Sequence, residues 1–419
     1  MKRPELLVPA GSPEVLRTAV LFGADAVYIG GESYGLRAKA KNFTPAAMRA
    51  SVEYAHEHGV KVYVTANIIA HNEDLEGIAA YFEELEEIRP DAVLIADPGV
   101  FMIAKEKCPG IDLHVSTQAN NVNWETFRFW HALGASRVVG GRELSLREWK
   151  EIREKIPAEM ETEAFVHGAM CISYSGRCLL SNFLTGRDAN RGACTHPCRW
   201  RYALVEETRP GQYFPVEETE RGTFIFNSKD LCMIDHLPDL IDAGIDSLKI
   251  EGRMKTELYV AAVTRAYRQA IDDLMESSEL YLSKRERYLE QVSRCTTRPF
   301  TTGFYYGKPD EDSQVYGEDG AYITGATYLG TVEEAQPSGG GAGRGARTVC
   351  RITQKNKFIV GENIEIMKPG GEDETVPVLG ITDADGAPME SAPHAKQELY
   401  VLLGGSAKAG DLLLRKEEI

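Results

Sequence analysis

The first 275 residues repeat one short theme: a helical segment, then a glycine, then an apolar run of four to six residues that ends in small or polar side chains. Five copies are clear, at residues 22–31, 58–67, 89–99, 133–143 and 243–253. The apolar runs lack strict polar alternation, which indicates strands that are buried on both faces of a parallel sheet. Four glycines stand where a helix C-cap needs a left-handed backbone: Gly23, Gly59, Gly134 and Gly244.

Three more apolar runs complete a set of eight predicted strands, at residues 6–8, 113–116 and 161–166. Helical patterns separate the strands, at residues 13–22, 44–58, 73–88, 123–133, 145–155 and 256–273. Eight alternating units in about 270 residues favour a TIM-like (β/α)8 barrel over an open doubly wound sheet, although periodicity alone does not show closure. In such a barrel the carboxyl ends of the strands meet at one mouth, where the chemistry is expected.

The pattern changes after residue 275. Residues 276–320 are polar and rich in tyrosine, and we expect a linker that folds back on the barrel. Residues 321–419 alternate short apolar runs with glycine-rich turns, which predicts a small C-terminal β-barrel domain. The predicted organisation is therefore a catalytic barrel of residues 1–275, which includes a cysteine-rich insertion at 163–200, followed by the linker and the β domain. Substrate docking and dimer contact are both open as roles for the β domain.

Half of the eight cysteines fall within one stretch: Cys171, Cys178, Cys194 and Cys198. Four thiolates close the coordination shell of a soft metal ion or of an iron–sulfur cluster. A structural zinc site normally takes its thiols as two close C-x2-C pairs, and only Cys194 and Cys198 approach that spacing. The looser spacing favours a 4Fe-4S cluster over zinc, with unconnected or disulfide-bonded cysteines as a third alternative. Cys232 is near enough in sequence to replace one ligand.

The stretch from residue 163 to residue 181 carries a recognisable pattern, Glu-x-Phe-x-x-Gly-Ala-Met-Cys followed by Gly-x-Cys-x-Leu-Ser. It resembles the signature of the collagenase-like peptidases of unassigned catalytic type, the peptidase U32 family, and the similarity runs over roughly residues 5–310. Within that family the chain looks most like the prephenate-dependent tRNA uridine hydroxylases. The resemblance implies a 4Fe-4S cluster on the four cysteines, tRNA as partner and prephenate as a dicarboxylate co-substrate. The implied reaction converts a tRNA wobble uridine to 5-hydroxyuridine.

Two other activities stay open as alternatives. One is a collagenase-like peptidase, because the family carries that label. No H-E-x-x-H zinc motif occurs, and a nucleophilic cysteine would have to come from thiols that are better explained as ligands. The other is a hydroxylase subunit of the ubiquinone pathway, and the C-terminal β domain speaks against it.

Four residues at predicted strand ends are the candidates for catalysis: His167, Arg142, Arg253 and Glu251. Arg142 and Arg253 directly follow strands, where a planar guanidinium can hold the carboxylate of a co-substrate. His167 titrates near neutrality unless it is perturbed, so proton transfer is its expected role. A structural ion pair or a backbone hydrogen bond would explain these residues about as well. Further cations are expected at the mouth: Arg37, Lys39, Arg177, Arg187 and Lys249.

The formal net charge of −16 bears on the partners. Non-specific affinity for nucleic acids comes from neutralised phosphates, so this charge disfavours a broad polyanion-binding surface but leaves room for a local basic rim. The chain has no run of eighteen apolar residues and no signal-peptide core, which predicts a cytoplasmic protein without a membrane partner. The expected partners are tRNA, a small dicarboxylate and, for assembly, a second copy or a paralogous chain.

Overall fold

A computed structural model of the protein describes residues 2–36, 42–171, 173–199, 217–219, 222–224, 229–309, 324–338 and 346–417. Its N-terminal part is a parallel barrel. Its eight strands are β1 (Glu5–Pro9), β2 (Ala26–Gly30), β3 (Lys61–Ala66), β4 (Ala92–Ile95), β5 (Asp112–Val115), β6 (Arg137–Val139), β7 (Glu161–Ala169) and β11 (Ser247–Ile250). Among the described residues, three short strands come between β7 and β11: β8 (Glu217–Thr219) and β9 (Gly222–Phe224) pair with each other, and β10 (Asp230–Cys232) pairs antiparallel with β7. Strands β1 to β7 pair in sequence order, and β11 pairs with both β7 and β1. The sheet is therefore closed, and the predicted TIM-like barrel is confirmed.

Helices surround the barrel, and six of them lie at the positions that the sequence pattern predicts. The helices are α1 (Pro13–Leu21), α2 (Pro45–Glu57), α3 (Ile78–Ile88), α4 (Pro98–Lys107), α5 (Trp124–Leu133), α6 (Leu146–Lys155), α7 (Leu180–Thr185), α8 (Leu237–Asp242) and α9 (Glu257–Glu276). Side-chain caps at Ser12, Thr44 and Asp97, each followed by a proline, start three of them. All four predicted cap glycines have a positive φ, between 72° and 104°.

The segment predicted as a linker, residues 276–320, contains regular structure of its own. It begins with α10 (Ser278–Ser283) and α11 (Arg285–Val292), which pack on α9, and continues into β12 (Phe300–Thr301), which pairs with β10. The Tyr305 hydroxyl then donates to the carbonyl of Phe165 at 2.6 Å, which ties this segment back to the barrel. Residues 310–320 of the predicted linker lie outside the described residues.

The C-terminal domain is a small antiparallel barrel. Its strands are β13 (Ala326–Pro337), β14 (Thr348–Gln354), β15 (Phe358–Ile359), β16 (Asn363–Met367), β17 (Glu374–Asp383), β18 (Pro388–Met389), β19 (Ser391–Ala392), β20 (Glu398–Leu403) and β21 (Leu412–Lys416). The sheet order runs β16, β21, β13, β14, β20, β17, and β17 pairs back with β16. Because burial alternates along β14 and β20, one face of the sheet fills the interior. The predicted β-barrel domain is confirmed.

Helix α9 joins the two domains. It is buried along most of its length, since the TIM-like barrel packs on one side and the β domain on the other. Leu412 and Leu414 of β21 belong to the same apolar core as the barrel. Arg265 of α9 adds a bidentate pair with Asp373, with N–O distances of 2.6 and 2.9 Å. No helix in the described part of the chain combines the length and apolar character needed to cross a bilayer.

Candidate active site at the barrel mouth

A small cavity with many polar groups opens at the carboxyl ends of the barrel strands. Residues from most of the strand ends line it: Tyr28, Leu36, Thr65, Asn67, Leu94, Ser116, Thr117, Gln118, Val139, Arg142, Phe165, Ser175, Lys249, Glu251 and Arg253. Three of the four residues predicted as catalytic, Arg142, Glu251 and Arg253, are among them. With Lys249, the lining holds three cations and one carboxylate, which suits a small anionic ligand.

Arg142 and Glu251 face each other across the cavity wall. The Arg142 Nη2 lies 3.6 Å from Glu251 Oε2, and the guanidinium lies over the ring of Phe165, 3.9 Å from its centroid. The stacked ring holds the plane of the guanidinium while leaving its edge able to donate hydrogen bonds. At 3.6 Å the contact with Glu251 is an ion pair rather than a tight hydrogen bond, so a bound carboxylate can compete for Arg142.

Arg253 is held by a hydrogen bond to Thr65 and by tight packing against the backbone of two glycines. Its Nη1 donates to Thr65 Oγ1 at 2.8 Å, and the side chain is almost fully buried. A Cβ at Gly30 would fall 2.0 Å from this Nη1, and one at Gly11 would fall 2.2 Å from the Arg253 carbonyl oxygen. The two glycines therefore leave the space that the arginine occupies at the cavity floor.

A network of buried ion pairs, which the sequence interpretation missed, lies inside the barrel beneath the cavity. Lys249 Nζ lies 2.6 Å from Glu163 Oε1, and Arg137 Nη1 lies 3.1 Å from Glu163 Oε2 and 2.6 Å from Glu5 Oε1. Burial lowers the pKa of Lys249, although Glu163 opposes that effect. Burial alone would raise the pKa of Glu5, but Arg137 holds it below its usual range. The sequence signal for these ion pairs was a charged residue inside an apolar strand run. Such a residue is buried in the barrel and needs a partner of opposite charge there.

His167 does not line the cavity, so the expectation that it faces the mouth is wrong. Strand β7 carries a bulge: Lys249 pairs with Phe165 and the next residue of β11 pairs with His167, which makes Val166 an extra residue. The extra residue turns the His167 ring outward, where it packs against the rings of Tyr267 and Phe300. Burial lowers the pKa of His167 to about 4, with Asp230 opposing, so the ring is neutral at pH 7. Its proposed proton transfer has no support from this position.

The cysteine-rich insertion covers one side of the mouth. Ser175 lines the cavity, and a Cβ at Gly176 would fall 2.5 Å from the carbonyl oxygen of Gln118. The backbone N–H of Ile69 donates to the carbonyl of Asn190 at 3.1 Å. Arg191 pairs with Glu73 and Asp74, at 2.8 and 2.6 Å. The insertion is thus anchored to the loops that follow β3 and β5.

The four thiols of this insertion differ from the other four in accessibility. Cys171 is exposed, and Cys178, Cys194 and Cys198 are half-buried. In contrast, Cys232 is buried, and burial raises its pKa to about 12, which disfavours it as a replacement ligand.

The donor chemistry of these four thiols fits a soft metal or an iron–sulfur cluster. The backbone N–H of His196 donates to Cys194 Sγ at 3.3 Å, the kind of hydrogen bond that tunes a ligating sulfur. Among the described residues, however, no three His, Cys, Asp or Glu side chains are gathered closely enough to hold a metal ion. A common centre for the four thiols therefore stays a prediction, and its formation would have to draw the insertion together.

The remaining predicted cations separate into three groups. Lys249 lines the cavity, whereas Arg177 and Arg187 are carried by the insertion outside it. Arg37 and Lys39 lie outside the described residues.

A hydrolytic nucleophile finds little support in this arrangement. Among the described residues that line the cavity, none is a histidine or a cysteine. A Gly-x-Ser-x-Gly sequence does occur at residues 31–35, but Ser33 is exposed. Within the described part of the chain, no hydrogen bond links the Ser33 hydroxyl to a histidine. The nucleophile and base of a peptidase are therefore not brought together here.

Comparison with known proteins gives two matches to family models and several relatives. The model described as Peptidase family U32 matches residues 11–315, and the model of the Peptidase family U32 C-terminal domain matches residues 326–415. The tRNA hydroxylation protein P1 of Bacillus subtilis (strain 168) is 40% identical over 400 residues, which cover 94% of this chain and 91% of that protein.

Two relatives from Escherichia coli (strain K12) extend the comparison. The tRNA hydroxylation protein P is 38% identical over 410 residues, which cover 88% of this chain and 87% of that protein. A 23S rRNA 5-hydroxycytidine synthase is 38% identical over 274 residues, 65% of this chain and 40% of that protein.

Proposed function

The chain belongs to peptidase family U32, and from this premise we propose that it is an RNA hydroxylase that converts a tRNA wobble uridine to 5-hydroxyuridine. Support comes from two relatives that are named as tRNA hydroxylation proteins and are similar over nearly their whole length. Both the barrel and the β domain are shared with this family, so the proposal concerns the whole chain.

The observation that carries the proposal is the cationic cavity at the mouth. Replacing the C5–H bond of uridine by C5–OH is an oxidation that also needs an oxygen donor, and we propose prephenate for that part. Prephenate carries two carboxylates, and Arg142, Arg253 and Lys249 present three cations to one cavity. The half-open pair of Arg142 with Glu251 gives one carboxylate a place to bind.

We further propose that Cys171, Cys178, Cys194 and Cys198 hold a 4Fe-4S cluster beside this cavity. The cluster would supply one-electron redox chemistry next to the reacting base. What this chain contributes is soft donors, accessible thiols and an insertion that already contacts the cavity through Ser175.

Nucleoside mass spectrometry tests the proposed activity. A strain that lacks the gene should lose 5-hydroxyuridine from its tRNA, and the intact gene should restore it. Arg142→Gln should restore less than about 1% of the modification, because an uncharged amide cannot replace the guanidinium fork. Unchanged 5-hydroxyuridine in the deletion strain would refute the proposal.

Anaerobic purification tests the cluster separately. The protein should be brown and contain about four irons per chain. Cys171→Ser combined with Cys178→Ser should remove the iron, whereas Cys350→Ser, in the core of the β domain, should retain it. A colourless protein with stoichiometric zinc would refute the cluster and leave the assignment of the cavity to be judged on its own.

A further inference from the structure

The cysteine-rich insertion exposes a group of large apolar side chains beside the cavity. Tyr174, Leu179, Leu180, Phe183 and Leu184, here called the rim patch, are 50%, 68%, 36%, 84% and 42% exposed. Five of the fifteen large hydrophobic side chains that the described chain exposes thus lie within eleven residues. Single exposed apolar residues are ordinary, but a contiguous group marks a binding surface.

Helix α7 carries most of the rim patch, and it exposes apolar side chains while burying a polar one, the reverse of an ordinary surface helix. Its one fully buried residue is polar: Ser181 Oγ donates to the carbonyl of Arg187 at 2.7 Å and accepts from the backbone N–H of Thr195 at 3.1 Å. The hydroxyl fixes the helix to its own loop, and this orientation turns Phe183 toward solvent. Because a surface helix normally buries its apolar face, the exposure of Phe183 is a consequence of how the insertion is built.

The rim patch adjoins the cavity at its N-terminal end. Tyr174 directly precedes Ser175, which lines the cavity, and Gly176 packs against the backbone of Gln118, another lining residue. A flexible polymer that enters the cavity from the side of the insertion would therefore pass Tyr174.

The charge of the insertion favours an anionic occupant. No aspartate or glutamate occurs from residue 164 to residue 187, although the chain as a whole has a formal net charge of −16. The same stretch contains Arg177, which is exposed, and Arg187. Apolar rings next to cations, without acids between them, match the surfaces on which single-stranded nucleic acids stack their bases.

We propose that the rim patch is the surface on which unpaired bases of the RNA substrate stack, with Phe183 and Tyr174 as stacking platforms and Arg177 as a phosphate contact. This inference rests on the proposed function, and it adds where the RNA loop is held and by which side chains. It also implies that the protein selects unpaired over duplex RNA, because a paired base keeps both faces covered by its neighbours.

Binding of a fluorescein-labelled anticodon stem-loop to the full-length protein, followed by fluorescence anisotropy, tests the inference. Phe183→Ala should raise Kd by about tenfold, the usual effect of losing one aromatic stacking partner. Phe183→Leu should raise it to a similar extent, since it keeps an apolar side chain without a ring, and Phe183→Trp should bind like the wild type. Phe129→Ala on α5 is the matched control, because Phe129 is also an exposed phenylalanine, 52% exposed, and should leave Kd unchanged. A fully paired RNA duplex should bind weakly and equally to all variants.

Each contrary result has a distinct meaning. If the wild type binds and hydroxylates the stem-loop but Phe183→Ala stays within twofold of it, the stacking surface is wrong and the proposed function stands. If Phe183→Leu keeps full affinity, base stacking is likewise overturned. Sedimentation velocity tests the alternative that the rim patch binds a second copy of the chain. If the wild type is a dimer that Phe183→Ala dissociates, and RNA affinity is unchanged, the patch is a dimer interface. A wild type that neither binds nor modifies tRNA would instead remove the proposed function itself.

Discussion

The barrel interior and the insertion over its mouth differ in which side chains they bury. In the interior, charged groups are buried with partners, as Arg137 and Lys249 are with Glu163. In the insertion, apolar groups such as Phe183 are exposed while Ser181 is buried. In the interior, these ion pairs are formed within the chain itself. The insertion leaves apolar surface and thiols open, which indicates that an external ligand, cluster or polymer completes it.

The cysteines give the largest expected contrast between the two regions. Burial raises the pKa of Cys108, Cys232, Cys295 and Cys350 to about 12, so only about one part in 10⁴ of each is thiolate at pH 8. In metal-free protein, iodoacetamide should therefore label the four thiols of the insertion at least about 1,000-fold faster than these four. Peptide mass spectrometry along a time course measures the rates.

Denatured protein is the control for this labelling, because all eight cysteines should then react alike. Fast labelling of the four buried cysteines in the native protein would contradict the expected difference in thiol reactivity. Protection of the insertion thiols after anaerobic reconstitution with iron and sulfide would show that these four thiols bind the cluster.

Removing a charge from the buried network of ion pairs should lower the free energy of unfolding more than removing one from the surface. Arg137→Met leaves Glu5 without its arginine partner and Glu163 with Lys249 alone, so the free energy of unfolding should fall by about 3–5 kcal/mol. Arg351→Met is the control: Arg351 pairs with Glu333 at 2.6 Å near the surface, where solvent screens the pair, so a much smaller loss is expected. Urea denaturation measures both values. Equal losses would show that burial does not distinguish the two sites.

The pH dependence of stability should show that His167 is buried in a neutral state between the barrel and its outer helices. The unfolded chain takes up a proton at this residue near pH 6.5, but the folded chain does so only near pH 4. Stability should therefore fall as the pH drops through this window, by about 3 kcal/mol at roughly 1.4 kcal/mol per pH unit.

His167→Gln should remove this part of the acid-side slope, as urea titrations at several pH values would show. The difference between the two proteins at pH 7.5, where His167 is neutral in both states, supplies the baseline. An unchanged slope in the variant would contradict the assignment. A loss of hydroxylation at pH 7 without a loss of stability would return His167 to the list of catalytic candidates.

The smallest effect is expected at the boundary between the regions, where Gly30 makes room for Arg253. Gly30→Ala would place a methyl group 2.0 Å from Arg253 Nη1 and displace the guanidinium from Thr65. The KM for prephenate should rise about tenfold, the cost of one weakened charge-assisted hydrogen bond. Gly370→Ala, where a Cβ would meet nothing within 4 Å, is the control and should leave KM unchanged. An unchanged KM in Gly30→Ala would mean that Arg253 does not need its present position to hold the co-substrate.

Much of the fold could be predicted because its signals are local. The apolar runs without alternation, the capping residues and the glycines at the helix ends each act within a few residues, and together they specify eight β/α units. Arg142, Glu251 and Arg253 were predicted at the mouth for the same reason, since each closely follows a strand. His167 failed because one extra residue at Val166 reverses the side of the sheet on which later side chains lie. Such a bulge has no clear sequence signal.

The sequence by itself determined the eight β/α units, the appended β domain and the group of four cysteines, because periodicity and spacing depend on near neighbours along the chain. Only the tertiary structure decided which polar groups share the cavity, how Gly30 leaves room for Arg253, and that α7 turns Phe183 outward. Those features depend on strand register and on contacts between residues far apart in sequence. No local pattern encodes them, because each is set by the position of a distant partner.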